Sequence, residues 1–284
     1  MPITICHPVA AVPLRRLGLV LSALILGSMM PDFEFFLRLS DGKSIGHTIP
    51  GIFLFDIPVG LIILLIFHRL IKFPVLSLLS HSVQSRLYRT ASSFTFFPFK
   101  RFCLIVVSLF IGTVTHMFCD AFTHADGWFV EKIAFLSAPV FSLPQGTVRV
   151  YFLLQYMGSA FGALILVYWY LKWYYNENPI THIVLHKFHL SKQIWIMVII
   201  GLFSVTAGIT YGAISSYKLE SVIMMKKFIT YTTIATMSSF IVALVTFGVL
   251  WHFKIPRHQR IKCIYEIPRS FSAGERAISD RGVS

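Results

Sequence analysis

Five stretches of this sequence are apolar over about the 20 residues that a helix needs to cross a lipid bilayer. The bilayer core offers the backbone no hydrogen-bonding partner, so a stretch of this kind crosses as an α-helix, whose backbone groups are satisfied internally. The sequence therefore predicts five membrane-spanning helices. They lie at residues 51–71, 102–122, 150–171, 194–214 and 228–251.

A sixth apolar stretch, residues 17–30, is only about 14 residues long, which suits a tilted or re-entrant helix as well as a spanning one. We expect no signal-peptide cleavage after it, because no A-x-A-like site follows. With 56% hydrophobic and 13% charged residues, the chain has too few polar groups to cover a soluble globule. The sequence predicts an all-α, polytopic membrane bundle of about six spanning or immersed helices, the first of which can be re-entrant.

The distribution of positive charge follows the membrane. A net charge of +13 could indicate a nucleic-acid partner, but the basic residues lie between hydrophobic helices and form no single surface, so we expect no nucleic acid. Residues 69–101 are basic without one acidic residue, which places them in the cytoplasm by the positive-inside rule. The basic tail, 254–284, is predicted to be cytoplasmic and disordered. We expect one domain over 1–253, with its polar site in 1–160 and scaffold helices in 161–253.

Three loops then fall on the opposite, extracytoplasmic side of the membrane: 32–47, 124–149 and 215–227. Lys218, Lys226 and Lys227 are unusual on that side, because basic residues favour the cytoplasm.

The sharpest chemical signal is His116-x-x-x-Asp120-x-x-x-His124, at the end of a predicted spanning helix. Residues four apart share a helix face, so these three side chains line up. A charged residue near the bilayer centre costs about 3 kcal/mol on insertion scales, so such residues usually face a partner, a cavity or an ion. A polar cluster in the headgroup region is the alternative. Asp126 could support a histidine or be an ordinary loop residue.

A second acidic element follows the first apolar stretch. Pro31 is expected to end that helix and to leave Asp32 exposed just beyond it. The macrodipole disfavours an anion at the C-terminal end of a helix, so a carboxylate at this position suggests a cation nearby. Glu34 lies two residues on. Together with His7, His47 and the helix stripe, Asp32 makes a His/Asp set of the kind that binds zinc or manganese.

Other polar and small residues have ordinary explanations. Asp56 could line a cavity, or it could stabilise the N-terminus of its helix by capping or through the helix dipole. Gln155 and Ser159 lie four residues apart and could hydrogen-bond to a neighbouring helix or contact a substrate. Close helix packing is indicated by the small residues Gly201, Ala207, Gly208 and Gly212.

Several motifs together resemble a known family. They are His7-Pro8-x-Ala10 with Pro13-Leu14-Arg15-Arg16, Gly27-Ser28-Met29-x-Pro31-Asp32-x-Glu34, His47-Thr48-x-Pro50-Gly51, His116-x-x-x-Asp120-x-x-Thr123-His124, Asp126-Gly127-Trp128 and Leu154-Gln155-Tyr156-x-Gly158-Ser159. The chain resembles the bacterial membrane proteins catalogued as domain of unknown function 4184, related to proteins described as membrane-bound metal-dependent hydrolases. The resemblance implies a helical fold in the bacterial inner membrane, with metal ligands at these positions. The related hydrolases have the motif P-D-x-D-H, and this chain has Pro31-Asp32-Phe33-Glu34-Phe35 at the same place. Phe35 stands where the motif has histidine, so one candidate ligand is missing.

The leading hypothesis is a metal-dependent hydrolase of a lipid-linked or small ester or phosphoester, with Glu34 or Asp126 as general base. A transporter or proton or cation carrier and a non-catalytic scaffold stay open as alternatives. His7 conflicts with this site unless the first segment is re-entrant, because charge places it on the cytoplasmic side. The predicted ligands of one or two ions of zinc or manganese are His7, Asp32, His47, His116, Asp120 and His124.

Overall fold

The protein is described by a computed structural model, which covers residues 4–42, 44–143, 146–180, 183–185, 188–217, 221–255 and 261–263. Five helical stretches in these ranges are long and apolar enough to cross a membrane, and they contain the five predicted windows. The protein is therefore an all-α integral membrane protein, as the sequence predicted. The five stretches are Ile49–Leu78, Phe99–Lys132, Val150–Asn176, Leu190–Ser216 and Ile223–Lys254.

The first apolar segment is broken into short pieces and does not form a spanning helix. Thr4 Oγ1 donates a hydrogen bond of 2.6 Å to Asp32 Oδ2, so the two ends of this segment meet, as a re-entrant path requires. His7 therefore lies on the same side as Asp32, which removes the conflict set by the charge pattern. The pieces are the 3₁₀ helix Thr4–Cys6, α1 (Pro8–Ala11), the 3₁₀ helix Val12–Leu17, α2 (Leu21–Gly27) and α3 (Met30–Arg38).

Asp32 occupies a helix start, and the prediction that it lies exposed beyond a helix end is wrong. Pro31 sits in the first turn of α3, where a missing N–H does no harm. Asp32 is in the same turn and is 5% exposed. The macrodipole at a helix N-terminus favours an anion, so the carboxylate needs no cation to offset the helix field.

The second stretch is a helix interrupted twice by π-helical turns. Thr48 caps its start, with Thr48 Oγ1 accepting a 3.1 Å hydrogen bond from the Gly51 N–H. Asp56 ends the first π-helical turn and is fully buried. The pieces of this region are α4 (Ile49–Gly51), the π-helical Ile52–Asp56, α5 (Ile57–Ile66), the π-helical Phe67–Ile71, α6 (Lys72–Leu78) and α7 (His81–Ser92).

The rest of the described chain contains four long helices, two short ones and two pairs of antiparallel strands, β1 with β2 and β3 with β4. Residues 256–260 and 264–284 of the predicted disordered tail lie outside the described residues. The elements are α8 (Phe99–Thr123), α9 (Trp128–Lys132), α10 (Ala134–Ser137), β1 (Pro139–Leu143), β2 (Gly146–Arg149), α11 (Val150–Asn176), β3 (Ile183–Leu185), α12 (Leu190–Ser216), α13 (Ser221–Lys254) and β4 (Ile261–Cys263).

The core forms where α2 packs on α8. Gly27 and Gly112 lie where the two backbones touch, because a Cβ at Gly112 would come within 2.9 Å of the Gly27 Cα. Thr113 Oγ1 donates a 3.2 Å hydrogen bond to the Gly27 carbonyl. Small residues allow this approach, as is common between membrane helices. The C-terminal end of α2 is thus held beside the polar half of α8. Apolar side chains around the contact are Val20, Ala23, Leu64, Ile105 and Leu109.

The scaffold helices α12 and α13 form a tight hairpin. A Cβ at Gly208 or Gly212 would collide with Thr236 or Thr232 on α13, which confirms the close packing predicted for these two glycines. The same prediction is wrong for Gly201, since a Cβ there would meet nothing within 4 Å.

The hairpin also contacts the loop after α3. Lys227 Nζ lies 2.6 Å from Asp41 Oδ2, and Tyr211 donates a 2.8 Å hydrogen bond to the Leu39 carbonyl. This pairing accounts for a lysine among loops expected on the extracytoplasmic side, and it brings two of those loops together.

Candidate metal centre

Four polar side chains converge where α3, the loop before α4 and the C-terminal half of α8 meet; we call Asp32, His47, His116 and Asp120 the central cluster. His47 Nε2 lies 3.5 Å from Asp32 Oδ1 and 3.5 Å from Asp120 Oδ2. His116 Nε2 lies 3.1 Å from Asp120 Oδ2 and 3.9 Å from Asp32 Oδ1. Each of the two imidazole nitrogens thus lies near one oxygen of each carboxylate.

The spacing of these atoms fits ligands of a divalent ion. Two ligand atoms bound tetrahedrally to zinc at 2.0 to 2.1 Å are about 3.3 Å apart, and the four measured distances lie on both sides of that value. The potential ligand atoms form two groups, and within each group all of them lie within 4.8 Å of one another. One group is His7, His116 and Asp120, and the other is Asp32, His47 and His116.

Two buried polar atoms in the centre have oppositely charged groups beside them but no hydrogen bond of ordinary geometry. His116 Nε2 and Asp120 Oδ1 are buried and have no hydrogen-bond partner among the described residues. Leaving a buried polar atom unpaired is costly, by about 1 to 3 kcal/mol, so such an atom in a folded protein calls for a specific explanation. A ligand at the point where these atoms converge would supply one.

The tautomer of His116 follows from a backbone contact. His116 Nδ1 lies 2.8 Å from the Ser28 carbonyl oxygen at the end of α2. A carbonyl only accepts, so Nδ1 carries the hydrogen, and in the neutral ring Nε2 presents its lone pair to the central cluster. A backbone carbonyl that orients a histidine in this way is typical of metal-binding sites.

His47 is oriented by a chain of hydrogen bonds that ends at Glu34. Ser44 donates to Glu34 Oε2 at 2.6 Å, so its oxygen is left to accept from His47 Nδ1 at 3.1 Å. In the neutral His47 ring, Nε2 therefore also presents a lone pair to the central cluster. Glu34 further accepts from Arg38 Nη1 and the Gly46 N–H, both at 2.8 Å.

The electrostatics of the centre favour positive charge beside the carboxylates. Burial raises the pKa of Asp32, but its contacts with His47, His116 and Thr4 outweigh this effect and lower that pKa below its usual value. Burial lowers the pKa of His47, but its contacts with Asp120 and Asp32 raise it to about 9. For Glu34, burial again raises the pKa, and the hydrogen bonds from Ser44, Gly46 and Arg38 bring it below the usual range.

Two predicted ligands lie at the edge of the central cluster. The His7 ring stacks on His116 with centroids 4.0 Å apart, and its Nε2 lies 3.8 Å from Asp120 Oδ1. Burial and the nearby His116 lower the pKa of His7 to about 4, so its ring is neutral. His124 Nδ1 lies 3.3 Å from Asp120 Oδ1, while its Nε2 lies 3.2 Å from Gln155 Nε2. His124 belongs to neither group of converging ligand atoms.

The remaining candidates make no hydrogen bond or ion pair with the central cluster within the described residues. Asp126 is exposed, and in the described ranges no hydrogen bond or ion pair joins it to these residues. Asp56 is fully buried, and neither of its carboxylate oxygens has a hydrogen-bond partner in the described chain. It lies close to Gly46, where a Cβ would come within 3.0 Å of Asp56 Oδ1.

Sequence reasoning missed three supporting residues. Thr4 and Ser44 act through hydroxyl groups in segments without a helical or strand pattern, so their sequence gives no signal. Ser28 acts through its backbone carbonyl, which every residue has. Gln155, by contrast, was predicted to contact either a helix or a substrate, and it contacts His124.

The comparison with known proteins agrees with the motifs. A family model described as domain of unknown function (DUF4184) matches residues 1–249, and this confirms the family predicted from the sequence. No curated protein and no solved structure matches the chain. Since the match covers most of the 284 residues, the chain belongs to the DUF4184 family.

Proposed function

We propose that this protein is a membrane-embedded, metal-dependent hydrolase of an ester or phosphoester. The observation that carries the proposal is the central cluster, in which each imidazole nitrogen lies 3.1 to 3.9 Å from an oxygen of each carboxylate. A His/Asp ligand set suits zinc or manganese. Asp32, His47, His116 and Asp120 would hold the ion, and the neutral ring of His7 is placed to join them.

A divalent ion in such a site supplies Lewis-acid activation of water and of a carbonyl or phosphoryl oxygen. The protein keeps Nε2 of His47 and Nε2 of His116 aimed inward, because Ser44 and Ser28 bind the Nδ1 atoms of these rings. In the hydrolysis, the oxygen of water bonds to the acyl carbon or phosphorus, the bond to the leaving oxygen breaks, and that oxygen takes a proton.

The hydrogen bonds of Glu34 bear on which residue accepts the proton from water. Glu34 accepts three short hydrogen bonds, which favours a positioning role through Ser44 over the general-base role predicted from sequence. Of the two candidates, the exposed Asp126 therefore remains as the candidate base. The positive-inside rule supports a centre on the extracytoplasmic side of a bacterial inner membrane, with a cytoplasmic C-terminus.

The first test measures bound metal in purified wild type and in a His116→Ala/Asp120→Ala variant by inductively coupled plasma mass spectrometry. We expect nearly one zinc or manganese ion per chain in wild type and loss of it in the variant. His189→Ala, which removes an exposed imidazole beside Ser191, is the matched control and should keep the metal. Wild type that stays metal-free after reconstitution with both ions contradicts the proposal.

Activity is then screened with p-nitrophenyl phosphate and p-nitrophenyl esters. Hydrolysis that follows the metal content across the variants supports an enzyme. Ion flux in proteoliposomes without hydrolysis would support a carrier instead, and unchanged activity in the double variant would reduce the centre to a scaffold.

A further inference from the structure

An apolar groove lies beside the candidate metal centre. Its volume is about 510 Å³, within the usual range for small-molecule sites. It is formed by α1, α8 and α11, and His7 and Gln155 lie in its wall. These two residues also contact Asp120 and His124, so the groove adjoins the centre.

The groove has the length and lining of a hydrocarbon site. From Leu154 to Ile165, α11 rises by about 16 Å, which is roughly half of the 30 Å hydrocarbon core. Exposed aromatic rings of Phe118 and Phe161 line it. Only 6% of the most apolar part of α11 is buried inside the protein, so bilayer lipid can reach the groove from the side.

We propose that the groove holds one hydrocarbon chain of a membrane lipid, whose ester or phosphoester group then lies beside His7 at the metal centre. This inference rests on the proposed hydrolase function and specifies its substrate class. A chain in the groove would place the hydrolysable bond at the end lined by His7 and Gln155, because these two residues contact Asp120 and His124. A helix from a second copy could cover the apolar wall, but it would bring no such bond to His7.

Gly158 provides a sharp test of the groove. It lines the groove on α11, and a Cβ added there would meet nothing within 4 Å, so a larger side chain fills open space without a backbone clash. Gly201 on α12 is a matched control, since its added Cβ also meets nothing within 4 Å and it is not among the groove residues. Both replacements put leucine on a membrane helix.

The experiment uses lysophosphatidic acid with a diazirine in its acyl chain, in phosphatidylcholine nanodiscs containing the full-length protein. EDTA is present, so no hydrolysis is needed for the readout. After photolysis, labelled peptides are mapped by mass spectrometry. We expect labels on groove residues such as Phe118, Leu154 and Phe161. Gly158→Leu should lower this labelling about tenfold, because its side chain displaces part of the buried chain, and Gly201→Leu should leave it unchanged.

Equal labelling of the groove in all three proteins overturns the proposal, as does labelling spread evenly over the lipid-facing helices. A dimer that Gly158→Leu converts to a monomer would show a second copy in the groove and also overturn it. The two proposals fail in distinguishable ways. If only the hydrolase proposal is wrong, bound metal and hydrolysis are absent, but labelling of the groove still falls in Gly158→Leu.

Discussion

Replacing Ser44 with alanine tests how the metal centre is assembled. The change removes the 3.1 Å contact that orients His47 and leaves Glu34 bound to Arg38 and the Gly46 N–H. One lost hydrogen bond is worth about 1 to 1.5 kcal/mol, and supporting partners of metal ligands typically change affinity about 10- to 100-fold. We expect the affinity for zinc to fall about tenfold, at the lower end of this range, because Asp32 and Asp120 still attract His47.

The assay is a competition titration for zinc against a chromophoric chelator, with the protein in detergent. Ser40→Ala is the matched control, because Ser40 lies near the same loop and its hydroxyl only accepts a long, 3.4 Å contact from the Gly42 N–H. Zinc affinity that is unchanged in Ser44→Ala, or that falls equally in Ser40→Ala, would refute the orientation of His47 through Ser44.

Three further predictions address other parts of the molecule. Asp32→Asn should lose bound metal while Asp56→Asn keeps it, as measured by mass spectrometry, because only Asp32 belongs to a group of converging ligand atoms. Gly112→Val should destabilise the protein by about 1 to 3 kcal/mol in thermal unfolding, since its Cβ would come within 2.8 Å of the Ser28 nitrogen, whereas Gly201→Val should change little. A double-mutant cycle of Asp41→Ala and Lys227→Ala should give a coupling below about 1 kcal/mol, because both side chains are partly exposed; a larger coupling would show that the pair is effectively buried.

Local periodicity explains what the sequence could predict. The membrane helices follow from apolar length alone, and the alignment of His116 and His124 with Asp120 follows from helical spacing. Both features depend on residues close together in the chain.

Features that depend on a distant partner could not be predicted. Nothing near Glu34 in sequence shows that a later loop will supply Ser44 and the Gly46 N–H to its carboxylate. In the same way, the stacking of His7 on His116 depends on the path of the first segment, for which the sequence left a spanning and a re-entrant course open.

The break between α2 and α3 is what makes the candidate centre. Because α2 ends at Gly27, the Ser28 carbonyl has no partner in that helix and is left to accept from His116 Nδ1. Because α3 begins at Met30, Asp32 enters its first turn, where the helix field stabilises a carboxylate. A continuous helix would bond the Ser28 carbonyl internally and move Asp32 into a helix interior, so one interruption in an apolar segment positions both an imidazole and a carboxylate of the central cluster.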